Sequence, residues 1–257
     1  MWCPGCGSGA VAMSMVRAID RLGLDFDNTI HVAGIGCSAV AHWYTTFTAL
    51  QTAHGRALAG ATGIKFGNPN LTVVVTMGDG DCAAIGGNHL IHACRRNIDL
   101  TAIVYNNFNY GMTGGQVGPT TPLEAIASTA PYGNLEPPFD LCRLAEAAGA
   151  TYVARGTVYH VTELINLIEG GIKHKGFSFI DVLCPCPTVF GRRNKLGNAG
   201  QMWKAQKDLT VTVTKAKLLS PAELNGKLAR GVLVEKEAPE FTEEYERLIA
   251  QVQKGND

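Results

Sequence analysis

The 257-residue sequence has no excess of either charge and no long apolar run. Lysine plus arginine and aspartate plus glutamate number 22 each, so no overall basic field indicates a nucleic-acid partner. No run approaches the roughly 18–20 apolar residues that a membrane-spanning helix needs. The opening MWCPGCGSG lacks the basic and apolar regions of a secretory signal. We therefore expect a cytoplasmic protein that binds neither nucleic acid nor a membrane.

The sequence also lacks a linker rich in proline, serine or charge, which favours one large domain over two small ones. Hydrophobic residues make up 46% and charged residues 17%, enough for a sizeable core and a buried subunit interface. The regular pattern weakens after residue 195. We predict one α/β domain over residues 1–195 and an extension over residues 196–257 that packs on this core or on a partner subunit.

Alternating apolar runs and amphipathic segments predict a parallel sheet with helices on both faces. Strands are predicted over residues 71–76, 100–105, 151–154 and 177–183, with a short one starting at His31. Helices are predicted over residues 10–22, 83–96, 141–148, 161–172 and 238–253, and within 51–67. The proline-rich residues 119–138 predict a long ordered surface loop.

Two polar clusters follow neighbouring strands of this predicted sheet. Gly78-Asp79-Gly80 comes after the strand at 71–76, and Asn106-Asn107 after the strand at 100–105, with a helix between them. Such a βαβ unit brings both carboxyl ends to one edge of the sheet, where ligands bind. A carboxylate and an amide oxygen there suit a Mg²⁺ ion that holds a diphosphate. The alternative is that GDG and NN are two tight turns that bind no ligand. The glycine-rich GMTGG after Asn107 argues against this alternative.

Eight cysteines in a chain of this length indicate metal or redox use rather than a disulfide scaffold. Cys3-Pro4-Gly5-Cys6 suits a thioredoxin-like dithiol, a zinc knuckle or an iron–sulfur cluster. Cys37 lies on the glycine turn GIGCS, and Cys184-Pro185-Cys186 follows a predicted strand, so thiolates from separate elements can converge on one cluster. Three cysteines within helical apolar patterns are expected to be ordinary buried residues: Cys82, Cys94 and Cys142.

GDG followed by NN resembles the diphosphate-binding signature of thiamine diphosphate (TPP) enzymes. The fuller text GDGDCAAIGGNHLIHACRRN, NNFNYGMTGGQ and PTTP resembles the β subunit of 2-oxoacid:ferredoxin oxidoreductases, over Trp2 to about Asn194. The resemblance implies a TPP-binding domain of the diphosphate type. It also implies a reaction in which a 2-oxoacid, coenzyme A and oxidised ferredoxin give acyl-CoA, CO₂ and reduced ferredoxin. The wording MTGGQ is closer to the 2-oxoglutarate enzymes than to those with a lysine in this loop.

The resemblance also implies which residues hold the cofactors. The ligands of a [4Fe-4S] cluster are then Cys3, Cys6, Cys37 and Cys186. We prefer Cys186 to Cys184, because Cys184 stands where the family often has a smaller hydroxyl residue. The implied ligands of Mg²⁺ are Asp79, Asn107 and the backbone carbonyl of Asn109. The residues expected to contact TPP are Ile35, Gly36, Cys37, Ser38, Gly78, Asp79, Gly80, Asp81, Asn107, Gly111 and Met112.

Two further residues are candidates for contact with substrate. His54 can orient substrate or cofactor, or make a structural hydrogen bond to the backbone. Thr113 lies in the loop TGGQ that is placed to meet substrate. The HxxH of His89 and His92 has no third ligand in register for a metal. Basic residues after the last cysteine form either a solvated turn or a docking edge for acidic ferredoxin: Arg192, Arg193 and Lys195.

The resemblance implies a partner, because the family carries the pyrimidine-binding domain and its glutamate on a separate α subunit. We therefore expect an obligate αβ partnership, in an (αβ)₂ assembly with TPP at the subunit boundary. Two alternatives differ in class. A non-redox TPP decarboxylase has no use for four convergent thiolates, and a zinc-stapled nucleotide-binding module has no chemistry of its own.

Overall fold

A computed structural model describes residues 1–224 and 226–254. The strands are β1 (Thr29–Ala33), β2 (Thr48–Gln51), β3 (Thr72–Gly78), β4 (Leu100–Asn106), β5 (Tyr152–Thr157), β6 (Phe177–Leu183), β7 (Thr210–Thr212) and β8 (Leu228–Glu235). The helices are α1 (Ser8–Arg21), α2 (Ala57–Gly67), α3 (Gly87–Arg96), α4 (Leu141–Ala147), α5 (Val161–Lys173), α6 (Ala199–Leu209), α7 (Val213–Ala216), α8 (Pro221–Leu224) and α9 (Phe241–Lys254). None of the helices in these two ranges is both long enough and apolar enough to cross a membrane.

These strands form one sheet in the order β2-β1-β3-β4-β6-β5-β8-β7. The neighbours from β2 to β5 are parallel, and β8 runs antiparallel to β5. The predicted α/β class is confirmed, and the sheet is mixed rather than wholly parallel. An antiparallel strand added towards the edge of a parallel sheet is common, because the parallel strands already have their crossovers.

Helices cover both faces of the sheet, as predicted. On one face Leu58 of α2, Leu90 of α3 and Leu141 of α4 pack against β3 and β4. On the other face Met15 of α1 and Ile168 of α5 pack with side chains of β4, β5 and β6. Burial on both faces explains why β4 and β6 are mostly apolar, with Ser178 and Asp181 of β6 as buried polar exceptions.

The predicted elements differ from the observed ones in three places. The helix expected over 83–96 is split into a π-helical turn, Gly80–Ile85, and α3. Strand β2 was not expected; all four of its residues are exposed at the edge of the sheet, so burial leaves no pattern in its sequence. The segment after residue 195 contributes β7 and β8 to the sheet, and the domain division at this point stays a prediction.

The order of the central strands positions the site. β1, β3, β4 and β6 are parallel neighbours, with Ala33 paired to Thr76, Gly78 to Tyr105, and Asn106 to Leu183. Their carboxyl ends therefore lie side by side on one edge. The loops that leave this edge carry GIGCS, GDGD, NNFN and CPC.

Candidate functional site

A pocket opens at this edge, between the loops that follow β1, β3 and β4. It is lined by every residue predicted to contact TPP, by Asn109, and by both candidates for contact with substrate, His54 and Thr113. The sequence therefore predicted which residues meet here, and their individual roles stay predictions. Tyr105 and Tyr110 also line the pocket and were not predicted.

Asp79 is one of two buried carboxylates of the pocket; Asp79 and Asp81 each have 2% of their surface exposed. One oxygen of Asp79, Oδ2, accepts a hydrogen bond of 2.5 Å from Thr120 Oγ1. Burial raises the pKa of Asp79 to about 7, although the hydrogen bond from Thr120 lowers it. A carboxylate that pays this desolvation cost gains from a cation beside it, which is the behaviour expected of a metal ligand.

The turn after β4 brings two amide side chains next to this carboxylate. Asn109 donates from its backbone N–H to Asn107 Oδ1 at 3.3 Å and from Nδ2 to the Asn107 carbonyl at 2.8 Å. Phe108 between them has a φ of +65°, a conformation that is costly for a bulky side chain. Such strain persists where the surroundings hold it, and it clusters at ligand sites.

Three buried side-chain atoms of the pocket have no hydrogen-bond partner within the residues that the structure describes. They are Ser38 Oγ, Tyr105 OH and Asn109 Oδ1. A buried polar atom without a partner costs about 1–3 kcal/mol. Three of them lining one pocket indicate a polar ligand that completes their bonding. The oxygen-rich set of Asp79, Asn107 and Asn109 fits Mg²⁺, and the unpartnered atoms fit a phosphorylated cofactor.

On the other side of the pocket, Asp81 connects the loop that follows β1 to the loop that follows β2. Its Oδ1 accepts from the backbone N–H of Gly55 at 2.5 Å and lies 2.6 Å from His54 Nδ1, and its Oδ2 accepts from Ile35 N–H at 3.1 Å. Burial raises the pKa of Asp81, while these partners lower it. His54 is thus oriented by a carboxylate rather than by the backbone bond that sequence reasoning offered as the alternative.

The cysteine-bearing loops meet beside the pocket. Trp2 Nε1 donates to the Cys37 carbonyl at 2.7 Å, and Gly7 N–H donates to the Pro185 carbonyl at 3.2 Å. These bonds place the CPGC turn between the GIGCS loop and the CPC segment. A Cβ built on Gly111 lies 3.7 Å from Cys37 Sγ and 3.6 Å from Cys186 Sγ. Two of the four predicted cluster ligands therefore border the wall of this pocket.

The thiols of Cys37, Cys6 and Cys184 lie among other sulfur and hydroxyl groups. Burial and the thiols of Cys6, Cys186 and Cys3 raise the pKa of Cys37 to about 12. Cys6 Sγ donates to Ser8 Oγ at 3.2 Å, and the buried Cys184 contacts the same hydroxyl at 3.7 Å. Over residues 1–224 and 226–254, no group of three or more His, Cys, Asp and Glu side chains is arranged around a single metal ion.

Three residues of the site were missed by sequence reasoning. Tyr105 reads as the last apolar residue of a buried strand, and Tyr110 as part of a loop. Thr120, in the quoted PTTP, reads as a turn residue. The signal for each is tertiary: an unpartnered hydroxyl, an edge-on ring 6.1 Å from His54, and a hydrogen bond across 41 residues.

The fold and this pocket define a TPP-binding enzyme domain. Residues 34–182 match the profile described as thiamine pyrophosphate enzyme, C-terminal TPP binding domain. The chain is 51% identical to 2-oxoglutarate synthase subunit KorB of Methanocaldococcus jannaschii, over 97% of this chain and 92% of that protein. It is 41% identical to the β subunit of a 2-oxoacid:ferredoxin oxidoreductase of Saccharolobus solfataricus, over 90% of this chain and 76% of that protein.

A solved structure agrees with these sequence matches. It is the 2-oxoglutarate:ferredoxin oxidoreductase of Magnetococcus marinus with 2-oxoglutarate, coenzyme A and succinyl-CoA bound, at a TM-score of 0.89 and 32% identity. The match covers 98% of this chain and 87% of that one. The chain belongs to the β subunits of the TPP-dependent 2-oxoacid:ferredoxin oxidoreductases. This membership decides against the zinc-stapled module and against the non-redox decarboxylase.

Proposed function

We propose that this β subunit acts in the CoA-dependent oxidative decarboxylation of 2-oxoglutarate, with electrons leaving through a [4Fe-4S] cluster to ferredoxin. The observation that carries the proposal is the pocket in which Asp79 and Asn107 meet three unpartnered polar atoms, one of them on Asn109. The names of the relatives in Methanocaldococcus jannaschii and Magnetococcus marinus support 2-oxoglutarate as the substrate.

Bound TPP would supply an electron sink for the decarboxylation, and the cluster a one-electron route out of the site. Asp79, Asn107 and the Asn109 carbonyl would hold Mg²⁺ and through it the diphosphate. Ser38 Oγ and Tyr105 OH would complete their hydrogen bonding on the cofactor. Met112, whose side chain is exposed at the pocket, would lie along it.

His54 would hold a proton at the pocket. When its Nδ1–H donates to Asp81 Oδ1, the ring is fixed in one tautomer and Nε2 is left to accept a proton. Thr113 lies on the exposed loop at the rim, where its Oγ1 donates to Gln116 Oε1 at 2.7 Å. We assign Thr113 to contact with the substrate.

The cluster ligands would be Cys3, Cys6, Cys37 and Cys186. Convergence of their loops, through the bonds of Trp2 and Gly7, supports this set. Arg193 is exposed and donates from Nη2 to the Gly114 carbonyl at 3.2 Å, so the basic residues after Cys186 border the same edge. Their charge suits an acidic electron acceptor such as ferredoxin.

The proposal also requires a partner. TPP chemistry needs a carboxylate against the aminopyrimidine, and the family places it on the α subunit. The β subunit would supply diphosphate binding and the electron exit, and the α subunit the pyrimidine half of the site.

The test is anaerobic reduction of a viologen dye by the co-expressed αβ complex with TPP, Mg²⁺ and coenzyme A. We expect the highest kcat/KM with 2-oxoglutarate, and visible absorption of the complex that bleaches on reduction. Pyruvate and a branched-chain 2-oxoacid are the comparison substrates. A higher kcat/KM with either of them would assign that 2-oxoacid as the substrate instead of 2-oxoglutarate. A colourless complex without iron would refute electron transfer through a [4Fe-4S] cluster.

Asp79→Ala provides the matching test of the pocket. Loss of the carboxylate should abolish Mg²⁺-dependent TPP binding, measured by calorimetry, and leave the visible spectrum of the cluster intact. The exposed Asp208→Ala is the control for the same substitution. TPP affinity that is equal in the two variants would show that the diphosphate binds elsewhere.

A further inference from the structure

Thr120 makes a contact that the proposed cofactor chemistry does not account for. It lies in the long loop between β4 and α4, with 4% of its surface exposed. Its Oγ1 donates to Asp79 Oδ2 at 2.5 Å and lies 3.0 Å from Asn106 Oδ1. Hydrogen bonds between a hydroxyl and a carboxylate are charge-assisted and short, and they fix geometry more strongly than neutral ones.

The loop around Thr120 is itself fixed. Thr121 is fully buried; its Oγ1 donates to the Phe108 carbonyl at 2.6 Å and accepts from Gly118 N–H at 2.8 Å. The two adjacent threonines therefore reach both sides of the proposed metal site. One holds the Asp79 carboxylate, and the other holds the turn that carries Asn107 and Asn109.

A second set of buried residues supports Thr120 from behind. Asn106 Nδ2 donates to Asp181 Oδ1 at 3.0 Å, and this bond orients the amide so that its Oδ1 faces Thr120. Asp181 Oδ2 accepts from Arg155 Nε at 2.9 Å, and Arg155 Nη2 donates to Asp140 Oδ1 at 2.5 Å. The bonds of Asn106 to Asp181, and of Arg155 to Asp181 and Asp140, are all made, and such a buried polar network is rigid.

We propose that Thr120 is a positioning residue for Mg²⁺ binding, acting through Asp79. The inference rests on the proposed function, since it takes Asp79 as a metal ligand. A carboxylate held through Oδ2 cannot rotate freely, so it meets a cation in one orientation. Groups that orient metal ligands in this way usually contribute about 10- to 100-fold to metal affinity.

The experiment titrates the αβ complex, stripped of metal, with Mg²⁺ at saturating TPP, and measures the half-saturating Mg²⁺ concentration by calorimetry. Thr120→Val removes the hydroxyl and keeps the branched shape, and Thr120→Ser keeps the hydroxyl. Thr120→Ala repeats the deletion without placing a methyl group against the buried carboxylate, in case the valine variant does not fold.

Thr101→Val is the matched control. Thr101 is buried like Thr120, but it lies on β4, near the opposite end of the strand from Asn106. Its Oγ1 donates to the Gly171 carbonyl at 3.2 Å. The Thr101→Val variant loses a buried hydroxyl that lies away from the pocket. Its melting temperature should therefore fall, while its half-saturating Mg²⁺ concentration should not change.

We expect Thr120→Val and Thr120→Ala to raise the half-saturating Mg²⁺ concentration by 10- to 100-fold. Thr120→Ser should stay within about threefold of the parent, because the hydroxyl makes the same bond. Thr101→Val should leave it unchanged. If the Val and Ala variants bind Mg²⁺ like the parent while Asp79→Ala does not, the positioning role is overturned and the site stands. If Asp79→Ala also binds like the parent, the proposed metal site itself is wrong.

Discussion

Replacing Arg155 should strongly destabilise the fold, although this residue lies outside the pocket. Arg155 and Asp181 are directly paired across β5 and β6, with side chains 4% and 1% exposed, and Arg155 also binds Asp140. Arg155→Met keeps much of the aliphatic stem and leaves the Asp181 charge buried without its partner. Breaking a buried ion pair in this way costs about 3–5 kcal/mol. At about 2–4 °C per kcal/mol for a chain of this size, the melting temperature should fall by about 6–20 °C.

The control is the same substitution at a surface ion pair. Arg21 is 48% exposed and pairs with Glu169 at 3.0 Å, and such pairs contribute about 0–1 kcal/mol. Denaturant unfolding of both variants gives the two losses of free energy directly. The variant Arg155→Met/Asp181→Asn removes the stranded charge and keeps an oxygen for Asn106, so it should recover at least half of the loss. A loss at Arg155 no larger than at Arg21 would refute the argument.

Three further predictions address the cysteines, the buried histidine and the partner. Cys186→Ser should lose or destabilise the cluster while Cys184→Ser keeps it; iron content decides, and the reverse result would move the fourth ligand to Cys184. Burial, with a smaller contribution from His42, lowers the pKa of His31 from its ordinary 6.5 to about 4, so only the unfolded chain takes up a proton between these pH values. Stability should therefore fall by about 3 kcal/mol as the pH drops from 6.5 to 4, and denaturant unfolding of His31→Gln should lack this part of the loss. The chain expressed alone, with TPP, Mg²⁺ and coenzyme A, should not reduce a viologen dye with any 2-oxoacid, and steady turnover would show that the missing carboxylate lies in this chain.

The central part of the fold could be predicted because its cause is local. β3 and β4 are buried on both faces, so their residues are mostly apolar or β-branched, and the polar clusters begin where the strands end. Parallel pairing then places Asp79 and Asn107 on one edge whatever the details of the loops. The same reasoning failed for β8, whose residues are mostly half-buried and follow a segment of weak pattern. Its pairing with β5 depends on contacts that no local sequence pattern records.

The residues of the pocket also divide into those that the local sequence predicts and those that depend on distant contacts. Residues that leave a strand end are predictable from the sheet alone, whereas residues that arrive from a distant loop are not. Thr120 reaches Asp79 across 41 residues, and its nearest sequence signal, two threonines between prolines, predicts only a turn. Tyr105 was missed for a different reason. Its place in a buried strand explains its ring, so the sequence does not show that its hydroxyl lacks a partner. A buried polar atom without a partner therefore marks this site where the strand pattern does not, because its cost must be offset by a ligand or a neighbour.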